Sequence, residues 1–185
     1  MATIFTIGHS TRSLDELIAL LREHAVDLLV DVRTIPRSRH NPQFNQDNLE
    51  VAMPKAGIAY RAIKDLGGLR GKRKDGEPSP NPFWTHASFR NYADYALTPP
   101  FRKALRDLEK TAELHRPAIM CAETLWWRCH RRIITDYLLA DGNKVVHILG
   151  PGKTEPGRLT EAAVPQVDGK LLYPGDPATP RIPGL

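Results

Sequence analysis

The chain has only two cysteines in 185 residues. That number cannot build the disulfide framework of a small secreted domain, so a reducing cytoplasm is the expected compartment. No apolar run approaches the roughly 18 residues needed to span a bilayer, so no membrane partner is expected. The opening M-A-T-I-F-T-I-G-H-S lacks both the basic start and the small-residue cleavage site of a secretory signal. Several fingerprints are also missing. There is no G-x4-G-K-[ST], so no P-loop, and no G-x-G-x-x-G after a strand, so no dinucleotide fingerprint. Neither H-E-x-x-H nor G-x-S-x-G occurs. The spacing C-x7-C-H lacks the tight C-x2-4-C knuckle of structural zinc sites, and it is not a C-x-x-C redox motif. Neither a cofactor nor a metal is therefore expected.

What is present describes a globular chain. Apolar residues make up 41% and charged residues 25%, which argues against disorder. The length suffices for one domain with its own core. The net charge is +5, which favours anionic partners: nucleic acid, nucleotides or other phosphorylated ligands.

The first 32 residues read as βαβ. Thr3 to Ile7 is β-rich. Ser13 and Glu16 form a capping box, and Leu14, Leu17, Ile18 and Leu21 recur at helical spacing. Asp27 to Val32 is a second apolar strand, continuous as in a parallel sheet buried on both faces. The stretch from Arg33 to Asn45 is a basic loop broken by Pro36 and Pro42. A short helix over 46–53 and a strand over 57–62 follow. The segment 65–85 is rich in glycine and basic residues and reads as a flap beside a site or a solvated insertion. A helix over 89–97 capped by Ser88 and another ending near His115 lead to a strand opening at Pro117. A polar turn, a helix carrying Ile133, Ile134, Tyr137 and Leu138, and a strand over 145–149 complete the pattern. The expected fold is one α/β domain over 1–149, with an open, mostly parallel sheet flanked by helices. Residues 150–185 hold seven prolines and six glycines and read as an irregular extension, packed on the domain or partly disordered. Within it, 171–173 is the one short strand expected.

Sites in open parallel sheets form beyond the carboxyl ends of the strands. Here those ends carry His9 and Ser10, then Asp31, Arg33, Arg37 and Arg39, then Cys121 and Glu123, and finally His147. Cys121 precedes a helix, where amides and arginines favour a thiolate, so it is the candidate nucleophile. The duller alternative is a small buried cysteine. His9, His130 or His147 is the candidate proton carrier, with Glu123 and Asp31 as further catalytic candidates. Cys129 is a possible thiol partner. If Cys129 and His130 lie on a helix, they diverge by about 100° and need not touch one ligand. Ser10, Arg33, Arg37, Arg39 and Arg131 are candidate anion or nucleotide contacts. Arg131 is placed along the sheet rim by its helical phase, while Arg128 and Arg132 are solvated or touch phosphate. Trp126 and Trp127 either stack a base or cover an apolar edge.

Seven motifs together resemble one family. They are T-I-G-H-S-T at 6–11, D-V-R-T-I-P-R-S-R at 31–39 with Phe44, Y-R-A-I-K-D-L-G-G at 60–68 and F-R-N-Y-A-D-Y at 89–95, followed by M-C-A-E at 120–123, C-H-R at 129–131 and V-H-I-L at 146–149. The chain resembles the DUF488 domain over about residues 3 to 149. The resemblance implies a small α/β protein with a parallel sheet and carries no settled activity. It marks His9, Ser10, Asp31, Arg33, Arg37, Arg39, Cys121, Glu123, Cys129, His130 and Arg131 as characteristic positions. The leading expectation is an enzyme acting on a nucleotide, nucleobase or nucleic acid. The alternatives are a non-catalytic binding module for nucleic acid or a phosphorylated ligand, and a thiol redox or sulfur-transfer protein.

Overall fold

The apolar runs become strands of one sheet, and the helical stripes cover its two faces. The computed structural model describes residues 1–175. Strand β1 is Thr3–Gly8, helix α1 Leu14–Glu23, β2 Leu28–Asp31, α2 Gln46–Lys55 and β3 Ala59–Ala62. Then come α3 Ala87–Ala96, α4 Pro99–Ala112, β4 Pro117–Cys121, α5 Arg131–Ala140 and β5 Lys144–Gly150. Ser13 caps α1 and Glu16 completes the capping box, as the sequence predicts. Ser88 does not cap α3: the helix starts at Ala87, and the Ser88 hydroxyl instead meets the His86 ring at 2.9 Å.

The sheet order is β3-β2-β4-β1-β5-β6, and β1 to β5 are all parallel. The chain goes from β1 past the future place of β4 to β2 and β3, then returns to insert β4 between β2 and β1. The C-terminal ends of β1, β2 and β4 therefore lie side by side where the winding reverses, the place at which open α/β sheets build ligand crevices.

Alternation decides what lies beneath each end. Ile4, Val30 and Ile119 pack toward α3, α4 and α5 with Phe101, Leu105, Ile134 and Tyr137. Phe5, Ile7, Leu29 and Met120 pack toward α1 and α2 with Leu17, Leu21 and Leu49. Side chains point alternately to the two faces along a strand, so Thr6, Cys121 and His147 share the α5 face and Asp31 takes the α1–α2 face.

The extension is more regular than its composition suggests. Strand β6, Lys153–Pro156, pairs antiparallel with β5, and β7, Val164–Pro165, pairs with β8, Leu171–Leu172. Strand β6 is mostly exposed and pairs through its backbone alone, so it carries no apolar alternation to read. Tyr173 is fully buried, and its hydroxyl donates to Asp136 at 2.9 Å, tying the extension to α5. The expectation for 176–185 lies outside the described residues. Among the described residues no helix is long and apolar enough to cross a membrane.

Candidate active site

Three side chains converge at the end of β4. Cys121 is its last residue. The chain then makes a turn, with a single 3-10 turn at Trp126–Arg128, before α5 begins at Arg131. Cys129 is extended (φ −126°, ψ 154°) and His130 is the N-cap of α5, so neither obeys helical phase. The expected 100° divergence does not apply, and both side chains turn back toward Cys121. The Nδ1 atom of His130 lies 3.4 Å from Cys129 Sγ and 3.9 Å from Cys121 Sγ. The two sulfurs and the imidazole nitrogen all lie within 4.8 Å of one another.

The orientation of His130 follows from its other nitrogen. Nε2 is 3.0 Å from the Val32 carbonyl, which only accepts, so Nε2 carries the proton. Nδ1 of the neutral ring is then an acceptor aimed at the thiols. Tyr92 meets the ring edge-on, and an added Cβ at Gly68 would lie 2.4 Å from Nδ1, so only glycine fits over it. Gly8 has a similar role at the end of β1, where a Cβ would fall 2.0 Å from the Glu123 carbonyl.

The thiols are unequal. Cys129 is 5% exposed and Cys121 is half-buried. Burial pushes the Cys129 thiol up, but the hydrogen bond from Cys121 and the charge of Arg131 hold it well below the ordinary value. The Cys121 thiol is raised well above it, by that same bond and by burial. The pair thus shares one proton, because two thiolates in contact repel.

The cluster forms part of the wall of an open cleft of about 470 Å³. His9, Arg33, Arg37, Glu123 and Arg128 line it with the cluster, and Ile35, Leu69 and Phe89 give it apolar surface. Arg37, Glu123 and Arg128 are exposed. Glu123 accepts from the Leu125 amide at 3.2 Å, so it steadies the turn as well as facing the cleft. From the 65–85 segment, Gly68 and Leu69 reach the cleft. Its basic run does not converge there: Arg70 lies over the Tyr95 ring and Arg73 pairs with Asp75.

Other predicted residues are committed elsewhere. Asp31 is fully buried and holds Arg33 by two bonds, to Nε at 2.8 Å and to Nη2 at 2.5 Å, while accepting from Tyr60 at 2.8 Å. Arg33 also donates to the Phe44 carbonyl at 2.6 Å. Asp31 is therefore a counter-charge sealed below the cleft, where a proton carrier has no access. His9 donates from Nδ1 to the Ser10 carbonyl and accepts from Arg33 at Nε2, 3.2 Å away. Burial, with Arg33 beside it, lowers its pKa to about 4, so it sits neutral with both nitrogens occupied. Ser10 has φ 49°, and its amide bonds Ala122. Arg39 is exposed and lies outside the cleft.

Arg131 does not lie along the rim. It is 1% exposed and donates to the carbonyls of Glu123 and Thr124 and to Thr6 Oγ1. Among the described residues Arg131 makes no ion pair with the Asp31 or Glu123 carboxylate. Thr6 in turn meets His147 Nδ1 at 2.7 Å. Trp126 stacks on His147 (centroids 4.1 Å apart, planes at 7°) and donates to Glu155 at 2.9 Å. Trp127 meets Trp126 edge-on. Trp126 thus covers His147 with Trp127 packed on it, and neither lines the cleft. Arg132 lies over Trp84 and donates to Thr160. Sequence reasoning passed over Tyr60 and Tyr92 as site supports, although both fall inside the quoted motifs.

The domain of unknown function DUF488 matches residues 13–138. The chain belongs to that family. No curated protein and no solved structure matches it. The DUF488 match spans α1 to α5 and so includes β2, β4 and all three members of the cluster.

Proposed function

We propose that this DUF488 protein is an enzyme acting on a small anionic substrate of the nucleotide class, with Cys121 as nucleophile. The observation that carries the reading is the convergence of Cys121, Cys129 and His130 within 4.8 Å at an open cleft. Cys121 is the more accessible sulfur. Cys129 is the thiolate of the pair and accepts the Cys121 hydrogen bond, so as Cys121 attacks an electrophilic centre and displaces its leaving group, the Cys121 proton passes to Cys129. Once protonated, the Cys129 thiol donates to Nδ1 of His130, which Val32 orients through Nε2. The charge of Arg131, buried behind the turn, favours the anionic form of both sulfurs. Arg37 and Arg128 supply exposed cations for a phosphate, and the cleft volume is in the range of small-ligand sites.

The test is alkylation of the reduced protein by iodoacetamide against pH. The pair should lose its first proton below the ordinary thiol value of about 8.5. Nucleoside monophosphates should slow alkylation saturably, and Cys121→Ser should abolish covalent trapping by an electrophilic substrate analogue. Unprotected alkylation at an ordinary thiol pKa would remove this reading. Steep loss of binding to oligonucleotides with salt, without turnover, would favour the binding-module alternative.

The sulfur pair also supports a second reading. A thiol–disulfide carrier would pass two electrons and two protons from Cys121 and Cys129 to a disulfide substrate, closing a bond of about 2.05 Å. Reversible loss of both thiols in a defined redox buffer is its signature.

A further inference from the structure

The donor set at the end of β4 has a second capacity. Two sulfurs and one imidazole nitrogen lie within 4.8 Å of one another, and among the described residues this is the one such group of three His, Cys or carboxylate side chains. Its chemistry is soft: S, S and N with no carboxylate in the set, which suits zinc over magnesium or calcium. The histidine is prepared as metal-binding histidines are. Its far nitrogen donates to a backbone carbonyl, that of Val32 at 3.0 Å, so the near nitrogen presents a lone pair to the sulfurs. The ring cannot swing away, because Gly68 and Tyr92 pack against it. All three residues also line the cleft, which leaves one side of the set open.

We infer that Cys121 Sγ, Cys129 Sγ and His130 Nδ1 bind a zinc-class divalent cation, with the fourth coordination position facing the cleft. This rests on the cluster invoked above as a reaction centre, but not on its substrate. Three protein ligands with an open fourth place mark a site that exchanges ligands, in contrast to a closed structural one. The core closes around two apolar clusters that include none of the three ligands, so the metal is not what folds the chain. Binding holds both sulfurs as thiolate ligands and releases the proton they share. The bound and the nucleophilic states of Cys121 therefore exclude each other, and zinc occupancy silences the thiol reaction.

The probe is the metal alone. The full chain, reduced and stripped by chelator, is titrated with Zn²⁺ against a chromophoric chelator, and in parallel with Co²⁺. The expected result is one equivalent bound, with thiolate-to-cobalt charge-transfer absorption of tetrahedral type. Alkylation of both cysteines should be suppressed and then restored by chelator. Cys121→Ser, Cys129→Ser and His130→Ala should each weaken binding by at least about 100-fold, while Glu113→Gln, exposed and outside the cleft, should leave it unchanged. The wild-type cobalt spectrum reads the ligand set even if a variant fails to fold. Full thiol reactivity in excess Zn²⁺ and a cobalt spectrum without sulfur ligation would overturn the inference. Nucleotide protection of the metal-free thiols would then still stand by itself. Zinc binding without nucleotide protection would uphold the metal site and remove the substrate reading.

Discussion

Two polar clusters sit on the same face of the sheet, one strand apart at their nearest. Cys121, Cys129 and His130 gather at the end of β4 and line a cleft. Thr6, His147 and Arg131 gather over β1 and β5 and are sealed by Trp126. Both use residue types that suggest chemistry. The difference is what lies above them: open space beside Gly68 in one case, an indole pinned by Glu155 in the other. Buried polar groups of the second kind hold the loop that forms the first. Arg131 binds the Glu123 and Thr124 carbonyls and so fixes the turn that follows Cys121. Perturbed groups thus divide into those that face a ligand and those that build the wall, and a pKa shift alone does not separate them.

Removing a wall group should cost the most stability. Asp31→Ala leaves the Arg33 guanidinium, 6% exposed, without its counter-charge. The expected loss is about 3–5 kcal/mol, read as a shift in urea unfolding midpoint. A loss below about 1 kcal/mol would show Asp31 to be less committed than its bonds imply.

Acid should act on the sealed side next. His147 is held neutral by burial and by Arg131, with its pKa lowered to about 3. In the unfolded chain it protonates near 6.5. Between these values the unfolded state binds the extra proton, so stability falls as pH drops below 6.5 and is flat in this group above it. Each such histidine contributes a slope of about 1.4 kcal/mol per pH unit. His9, lowered to about 4, adds to the slope over its own window. His147→Asn should remove one histidine's share between pH 6 and 4.5, measured by denaturant titrations at each pH. An unchanged slope would place the acid sensitivity elsewhere.

Gly68→Ala tests the open side through its support. The new methyl meets His130 Nδ1 at 2.4 Å, so the ring must move off the sulfurs. Overpacking of this kind costs about 1–3 kcal/mol. Alkylation of Cys121 and Cys129 should return toward ordinary thiol behaviour, while Gly71→Ala, with open space around it, should change neither. Thiol reactivity in Gly68→Ala unchanged from the wild type would detach His130 from the cluster's chemistry.

Strand ends were legible because parallel strands are short apolar runs, and reactive residues directly follow them: Cys121 after Ala118–Met120, Asp31 after Leu28–Val30. That placed the site. Three features were hidden for physical reasons. Helical phase was applied to Cys129 and His130, yet α5 starts only at Arg131, so the two side chains turn back to Cys121 together. Helical phase places Arg131 along the sheet rim, whereas its guanidinium is buried on three oxygen acceptors that offset the burial. Strand β6 left no pattern because its bonds are backbone bonds on an exposed edge.

The smallest effect on stability should come from a residue with the same chemistry as one of the most costly. Arg33 and Arg37 leave the same strand end, yet Arg33 is buried on Asp31 and Arg37 is exposed in the cleft. Arg37→Ala removes no buried bond, so its unfolding free energy should stay within about 0.5 kcal/mol of the wild type. Its charge faces the space where an anion sits. Protection of the thiols by a nucleoside monophosphate should therefore weaken several-fold and become less sensitive to salt, since one screened contact is gone. Arg39→Ala, outside the cleft, is the matched control and should leave protection intact. Equal protection in the two variants would mean that Arg37 does not hold the anion, which leaves Arg128 as the other exposed cation of the cleft.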